Sequence, residues 1–276
     1  MNPKGRLIII RGHDTDPTGD TEYELTSYQL LTKAFRLLSE RKSIRIEIIT
    51  TSNLIASSKE QYAAVLEKEG YSNTGFIHLR KKQDLDHYYS RILEAQFVVL
   101  ADHTAQICEV LKGSAMLELL NRKYLHEEDF TIAGINAGAM GLPGLVLNDT
   151  EATDSGLGFI SNCIIDTKFM HGERCKILIK AVICHQECLG LGLNSGMALI
   201  IEKGYKASCL GNSSVMVVNA RDVKNKRLGR GASVYKKNLK GHILTEGSVL
   251  NVCTGDLIKN HLLPYNLNFV NRNMIQ

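Results

Sequence analysis

Five short, largely apolar and β-branched runs punctuate the first half of the chain, and helical stretches fill the gaps between them. The runs are Leu7–Ile10, Ile44–Thr50, Gly75–Leu79, Phe97–Ala101 and Phe130–Ile135. Strands that are apolar on both faces cannot lie on a half-wet sheet. Separated by helices, they predict a parallel sheet covered on both sides. The helices carry their own signals. Thr21 and Glu24 have capping-box spacing, and the helix they would open runs to about Glu40 with Leu30, Leu31, Ala34, Leu37 and Leu38 at helical spacing. Ser57 and Glu60 form a second such box, and the helix through Tyr62, Val65 and Leu66 stops at Gly70. Further helices are expected from about Asp84 and up to about Tyr124.

After Gly144 the texture changes. A strand at Cys163–Ile165 and a helix over about Glu173–Cys188 are followed by closely spaced short strands: Leu191–Leu193, Met197–Ile201, Tyr205–Leu210, Val215–Val218 and Val249–Val252. These are expected to complete the same sheet, partly antiparallel, and to cover one edge. The expectation is an α/β three-layer sandwich with a mainly parallel sheet and extra C-terminal β-strands, forming a single domain over residues 1–276.

The composition is that of an ordinary globular chain, with 44% hydrophobic and 22% charged residues. Its net charge of +4 is only mildly basic. Arg221, Lys224, Lys226, Arg227, Arg230, Lys236, Lys237 and Lys240 gather near one another, but aromatic residues are not interleaved with them. A solvated loop is the expectation there, and no nucleic-acid partner is expected. The apolar run Leu7–Ile10 ends at Arg11 and is too short for a signal peptide or a membrane span, so no membrane association is expected. Seven dispersed cysteines, an odd number, read as reduced thiols in a cytoplasmic protein. Cys184-His185-Gln186-Glu187-Cys188 sits at a helix end with no second ligand pair at zinc-site spacing, so no metal is expected. Nor is a cofactor: after the first strand stands Ile10-Arg11-Gly12-His13-Asp14, not a dinucleotide fingerprint.

The segment from Phe130 to Ala139 carries the chemistry. A buried strand runs into Gly134-Ile135-Asn136-Ala137-Gly138, a Gly-x-Asn-x-Gly turn, and then into small residues that can open a helix. With serine at the centre this would be a nucleophile elbow. The glycines are needed because a side chain at either would strike the neighbouring strand or helix. The central residue is driven to positive φ, which asparagine tolerates better than most residues. Asn136 therefore keeps the shape of the elbow and removes its nucleophile, because a carboxamide does not attack carbonyls.

With its surroundings the chain resembles the cyanophycinase and peptidase E family of serine exopeptidases, whose fold is flavodoxin-like and related to class I glutamine amidotransferases. Gly134-Ile135-Asn136-Ala137-Gly138-Ala139 matches the family's Gly-Thr-Ser-Ala-Gly-Ala at all but the two central positions. Gly156-Leu157-Gly158-Phe159, Ile164-Ile165-Asp166-Thr167-Lys168-Phe169, Leu189-Gly190-Leu191-Gly192-Leu193 and Ala198-Leu199-Ile200-Ile201 follow family segments in order, and Arg174 falls on an arginine of the following helix. The resemblance implies that Asn136 stands at the nucleophile position and Lys168 at that of the histidine base. Glu151 or Asp154 lies in the region of the acidic third member. Ala101-Asp102 replaces a Gly-Gly that serves the oxyanion. The binding positions implied are Asp102, Gly134, Ala137 and Gly138.

A protonated lysine is no general base unless burial lowers its pKa by several units. His171, nearby, has nothing left to activate. A carboxylate at Asp102 would repel a developing oxyanion if it pointed there. The expected function is a catalytically degenerate homologue that binds a peptide or cyanophycin-like ligand, or a partner. Acidic residues in loops near strand ends, Asp14, Asp16, Asp102, Asp149, Glu151 and Asp154, would suit arginine-rich material. The alternative is an active hydrolase with a shifted nucleophile, for which Ser155, Ser161 and Cys163 are the candidates. A homodimer is what the resemblance implies for assembly.

Overall fold

The structure, a computed structural model, describes residues 2–12, 26–38, 41–51, 56–102, 106–148, 153–169, 172–226 and 235–259. In the first half the elements run β1 (Arg6–Arg11), α1 (Ser27–Leu38), β2 (Ile46–Thr50), α2 (Ala56–Lys68), β3 (Thr74–His78), α3 (Asp84–Glu94), β4 (Phe97–Asp102), α4 (Gln106–Leu111), α5 (Ala115–His126), β5 (Thr131–Asn136) and α6 (Ala137–Gly141). All five expected strands are present, and β1, β5, β4, β2 and β3 pair side by side in parallel.

The helix ends follow local chemistry. α1 is opened by Thr26 and Gln29; the Thr21 and Glu24 box lies outside the described residues. The Thr26 hydroxyl accepts from the Gln29 amide at 3.2 Å, and the Gln29 side-chain oxygen accepts from the Thr26 amide at 2.8 Å. That reciprocal box occurs with Thr and Gln as readily as with Thr and Glu. Gly70 closes α2 as expected. At φ +85° it lets the Tyr71 amide return to the Leu66 carbonyl at 2.8 Å.

The second half holds β6 (Pro143–Leu147), β7 (Thr153–Ser155), β8 (Ile160–Asp166), α7 (Gly172–Cys184), β9 (Leu189–Leu193), β10 (Met197–Glu202), β11 (Lys206–Gly211), β12 (Val215–Asn219), β13 (Lys224–Lys226), β14 (Tyr235–Lys237), β15 (Lys240–Leu244), β16 (Val249–Asn251) and β17 (Leu257–Lys259). Here the expectation of one completed sheet is corrected. β10, β11, β16 and β17 do extend the first sheet, antiparallel from the edge of β1, giving the order β17-β16-β11-β10-β1-β5-β4-β2-β3. The others build a second sheet, β15-β12-β9-β8-β6-β7, in which β6, β8 and β9 are parallel. β9 is buried at every residue, so its apolar run has no period that would say which sheet it joins. The basic cluster differs as well: β13 and β14 pair as a short two-stranded ribbon where a loop was expected.

Strand alternation distributes the core. Ile8, Ile10, Ile48, Val99 and Ala133 pack against α1 and α2 on one face of the large sheet. Leu7, Ile9, Val98, Leu100 and Ile132 face the other way and share a core with Cys163, Ile165, Leu191 and Val217 of the small sheet. α7 covers the small sheet's outer face through Leu178, Ala181 and Val182. The arrangement leaves the C-terminal ends of β1, β5 and β4 together, which is where open parallel sheets place ligands.

Candidate active site

β5 passes into α6 through a turn of the expected geometry. Asn136 has φ +51° and ψ −113°, a region that few residues other than glycine enter. Its neighbours explain the two glycines. A Cβ on Gly134 would lie 2.5 Å from the Cα of Ala139, and one on Gly138 would run into the Leu100 carbonyl oxygen of β4. The elbow therefore rests on backbone contacts that no side chain can share.

The C-terminal ends of the two flanking strands, β1 and β4, frame Asn136. On one side Arg11, the last residue of β1, donates from Nη1 to the Asn136 side-chain oxygen at 3.3 Å. On the other, Asp102 ends β4 as the register partner of Asn136; its side chain lies outside the described residues. Asn136 is buried, with 8% of its surface exposed.

The end of β8 supplies the third wall. The buried Thr167 hydroxyl donates to the Asn136 carbonyl at 3.0 Å, tying the two sheets together at the elbow. Lys168 follows, exposed, with its backbone amide donating to Asp166 Oδ1 at 2.9 Å. Asp166 is fully buried, and Arg174 donates to both of its oxygens at 3.1 and 3.2 Å. The remaining Arg174 nitrogen reaches the Asn148 carbonyl at 3.1 Å. This ion pair sets the backbone that carries Lys168 without placing a carboxylate in the cleft. Among the described side chains the site offers the Arg11 guanidinium, the Asn136 carboxamide and the Thr167 hydroxyl, with no hydroxyl at position 136 and no imidazole at position 168.

Asn136, Gly134, Ala137, Gly138, Asp102 and Lys168 lie at this one end of the sheets, on or next to the C-terminal ends of β4, β5 and β8. Glu151, His171, His13, Asp14, Asp16 and Asp149 fall outside the described residues. Asp154 is exposed on β7, where its carboxylate accepts from the Asn148 amide at 3.1 Å. Among the candidates for a shifted nucleophile, Ser155 and Ser161 are exposed. Cys163 is fully buried, and burial drives its thiol pKa far up, so it is core. Among the described residues no group of histidine, cysteine and carboxylate side chains could hold a metal ion. His185 of the former metal candidate instead meets the Thr153 hydroxyl at 3.0 Å and Glu187 at 3.5 Å.

Arg11 and Thr167 are the residues that sequence reasoning missed. Arg11 had served only to end an apolar run. The available signal was its position: a charged residue closing a central parallel strand stands at the ligand end of the sheet.

Comparison with known proteins places this geometry. No family model matches the chain. The cyanophycinase of Trichormus variabilis is 25% identical over 246 residues, which span 83% of this chain and 82% of that protein. The cyanophycinase of Synechococcus elongatus is 30% identical over 115 residues, or 40% of this chain and 35% of that protein. Among solved structures, a peptidase from an acI-B1 actinobacterium superposes with a TM-score of 0.65 at 16% identity, covering 91% of this chain and 98% of its own; that likeness shows the fold. The chain is thus similar in sequence to cyanophycinases and shares its fold with a solved peptidase. No helix among the described residues is long and apolar enough to cross a membrane.

Proposed function

We propose that this cyanophycinase/peptidase E-like chain is a catalytically degenerate relative that holds a peptide or cyanophycin-like ligand without cutting it. The observation that carries the reading is the Arg11–Asn136 hydrogen bond. The residue at the nucleophile position is a carboxamide, and its oxygen accepts from a guanidinium at 3.3 Å. A hydrolytic elbow needs a hydroxyl whose proton is drawn off by a base. Lys168 at the base position has no acceptor to offer while protonated. Asp102 is the register partner of Asn136 on β4, where the resemblance implies a glycine that serves the oxyanion.

The direct test is hydrolysis of cyanophycin and short aspartyl peptides by the purified protein and by Asn136→Ser, with calorimetric binding of β-aspartyl-arginine alongside. The expected result is no turnover by the natural protein and measurable heat of binding. Turnover that disappears when Asn136 or Lys168 is changed would refute the proposal, and absence of any heat would refute its binding half. Light-scattering mass tests the homodimer that goes with this reading.

A second reading, hydrolysis at a relocated site, has one observation in its favour. Thr153, His185 and Glu187 line up as hydroxyl, imidazole and carboxylate at 3.0 and 3.5 Å. Peptidase activity that survives Asn136→Ala and is lost in His185→Ala would select it.

A further inference from the structure

At the far end of the sheets from the elbow, a cavity of about 460 Å³ opens between the start of the chain, the start of β8 and the β10–β11 turn. The residues that line it include Leu125, Phe159, Asn162, Asn251, Cys253 and the exposed Lys203. This volume is within the range of small-molecule sites.

We propose that this cavity binds a small organic carboxylate, with the anion on Lys203 and the apolar body against Leu125 and Phe159.

Charge comes first. Lys203 is the sole ionisable residue of formal charge among the described lining residues, and no carboxylate lines the cavity to neutralise it. Glu202, next in the chain, is engaged by Arg6 at 3.9 Å and by Lys206 at 3.3 Å. A ligand that brings its own negative charge fits such a lining; a cationic one does not.

Backbone geometry is an independent observation. Lys203 has φ +54° and Gly204 φ +71°, the pair of positive values that tight hairpin turns give to Asn-Gly or Gly-Gly. A lysine in that conformation is uncommon, and it persists where surroundings hold it. A Cβ on Gly204 would lie 2.7 Å from Pro3, so the turn is pressed against the start of the chain at the cavity's rim.

The third observation is a buried polar atom. Tyr124 is 1% exposed, and its hydroxyl has no hydrogen-bond partner among the described residues. Its ring meets the cavity-lining Phe159 edge-on at 5.7 Å. Burial, and to a lesser degree the Cys253 thiol, push its pKa up. Buried hydroxyls are nearly always satisfied, and this one belongs to a ring packed against the lining residue Phe159. Cys253 itself is half-buried, with its sulfur accepting from Asn162 at 3.4 Å, so it reports on occupancy.

The test uses the full chain with phenylacetate as probe and phenylacetamide as its neutral isostere. Affinity is read by titration, and occupancy by mass-spectrometric mapping of iodoacetamide labelling at Cys253 against exposed Cys184. Phenylacetate is expected to bind with a dissociation constant on the order of millimolar, as a fragment of this size does. It should slow Cys253 labelling and leave Cys184 unchanged. Lys203→Gln should weaken phenylacetate about fivefold, the size of one partly exposed charge pair, and leave phenylacetamide unchanged. Asn136→Ser should alter neither, which separates this cavity from the elbow. Equal affinity for acid and amide, unprotected Cys253 at saturation, unchanged affinity in Lys203→Gln, or no binding up to about 20 mM would each overturn the proposal.

Discussion

Asp166 and Arg174 form a buried pair next to Thr167, which bonds the elbow: both oxygens of a carboxylate with no exposed surface accept from a guanidinium at 3.1 and 3.2 Å. The same carboxylate takes the Lys168 amide, and Arg174 also reaches Asn148, so one interaction holds the end of β8, the start of α7 and the end of β6. Removing one partner strands the other charge away from water. Arg174→Ala or Asp166→Ala is expected to cost about 3–5 kcal/mol, measured by chemical denaturation. A cost under about 1 kcal/mol would mean that water reaches the pair.

The elbow glycines should tolerate no side chain. Gly138→Ala forces a methyl group into the Leu100 carbonyl and Gly134→Ala forces one onto the Ala139 backbone, so each is expected to lose at least about 3 kcal/mol or fail to fold. Gly144→Ala is the control. Its added Cβ finds nothing closer than 3.8 Å, and its stability in the same denaturation series should change by less than about 1 kcal/mol.

Asn136 holds a strained backbone, and a pair of variants isolates that strain. Asn136→Gly and Asn136→Ala both lose the hydrogen bond from Arg11, so the difference between them reads φ +51° and ψ −113° alone. The glycine variant should be the more stable by about 1–2 kcal/mol. Equal stabilities would show that the turn relaxes once the side chain is gone.

Alkaline pH should destabilise the fold through its buried thiols. Burial pushes Cys209 up to about 12, and raises Cys163 and Cys188 as well. Unfolded cysteine ionises near about 8.5, so above that pH the unfolded chain binds fewer protons than the folded one and stability falls as pH rises. The loss continues until the folded pKa is reached. Cys209→Ala should flatten part of this decline between about pH 9 and 12, seen in the pH dependence of the denaturation midpoint. In the folded protein at mildly alkaline pH, Cys184 should label readily and Cys163 only on unfolding.

The parallel half of the fold was legible because its signals are local. Consecutive apolar residues at Leu7–Ile10 and Phe97–Ala101 can only be strands covered on both faces, and the starts and stops between them come from side chains that satisfy backbone groups a few residues away. The elbow was legible for the same reason: Gly134, Asn136 and Gly138 answer to a turn only five residues long. The late strands were less so. β9 and β10 are both buried almost throughout, yet one joins the small sheet and the other the large one. Nothing in an apolar run records its partner.

Local sterics and periodicity thus dictate the strands, the helix ends and the positive φ at Asn136. Folding settles who meets whom. Arg11 reaches Asn136 across 125 positions, Thr167 reaches it across 31, and Lys203, Phe159 and Cys253 come to one cavity from three separate stretches. Such meetings depend on strand order and on how two sheets share a core, and those are properties of long-range packing that no short window of sequence contains.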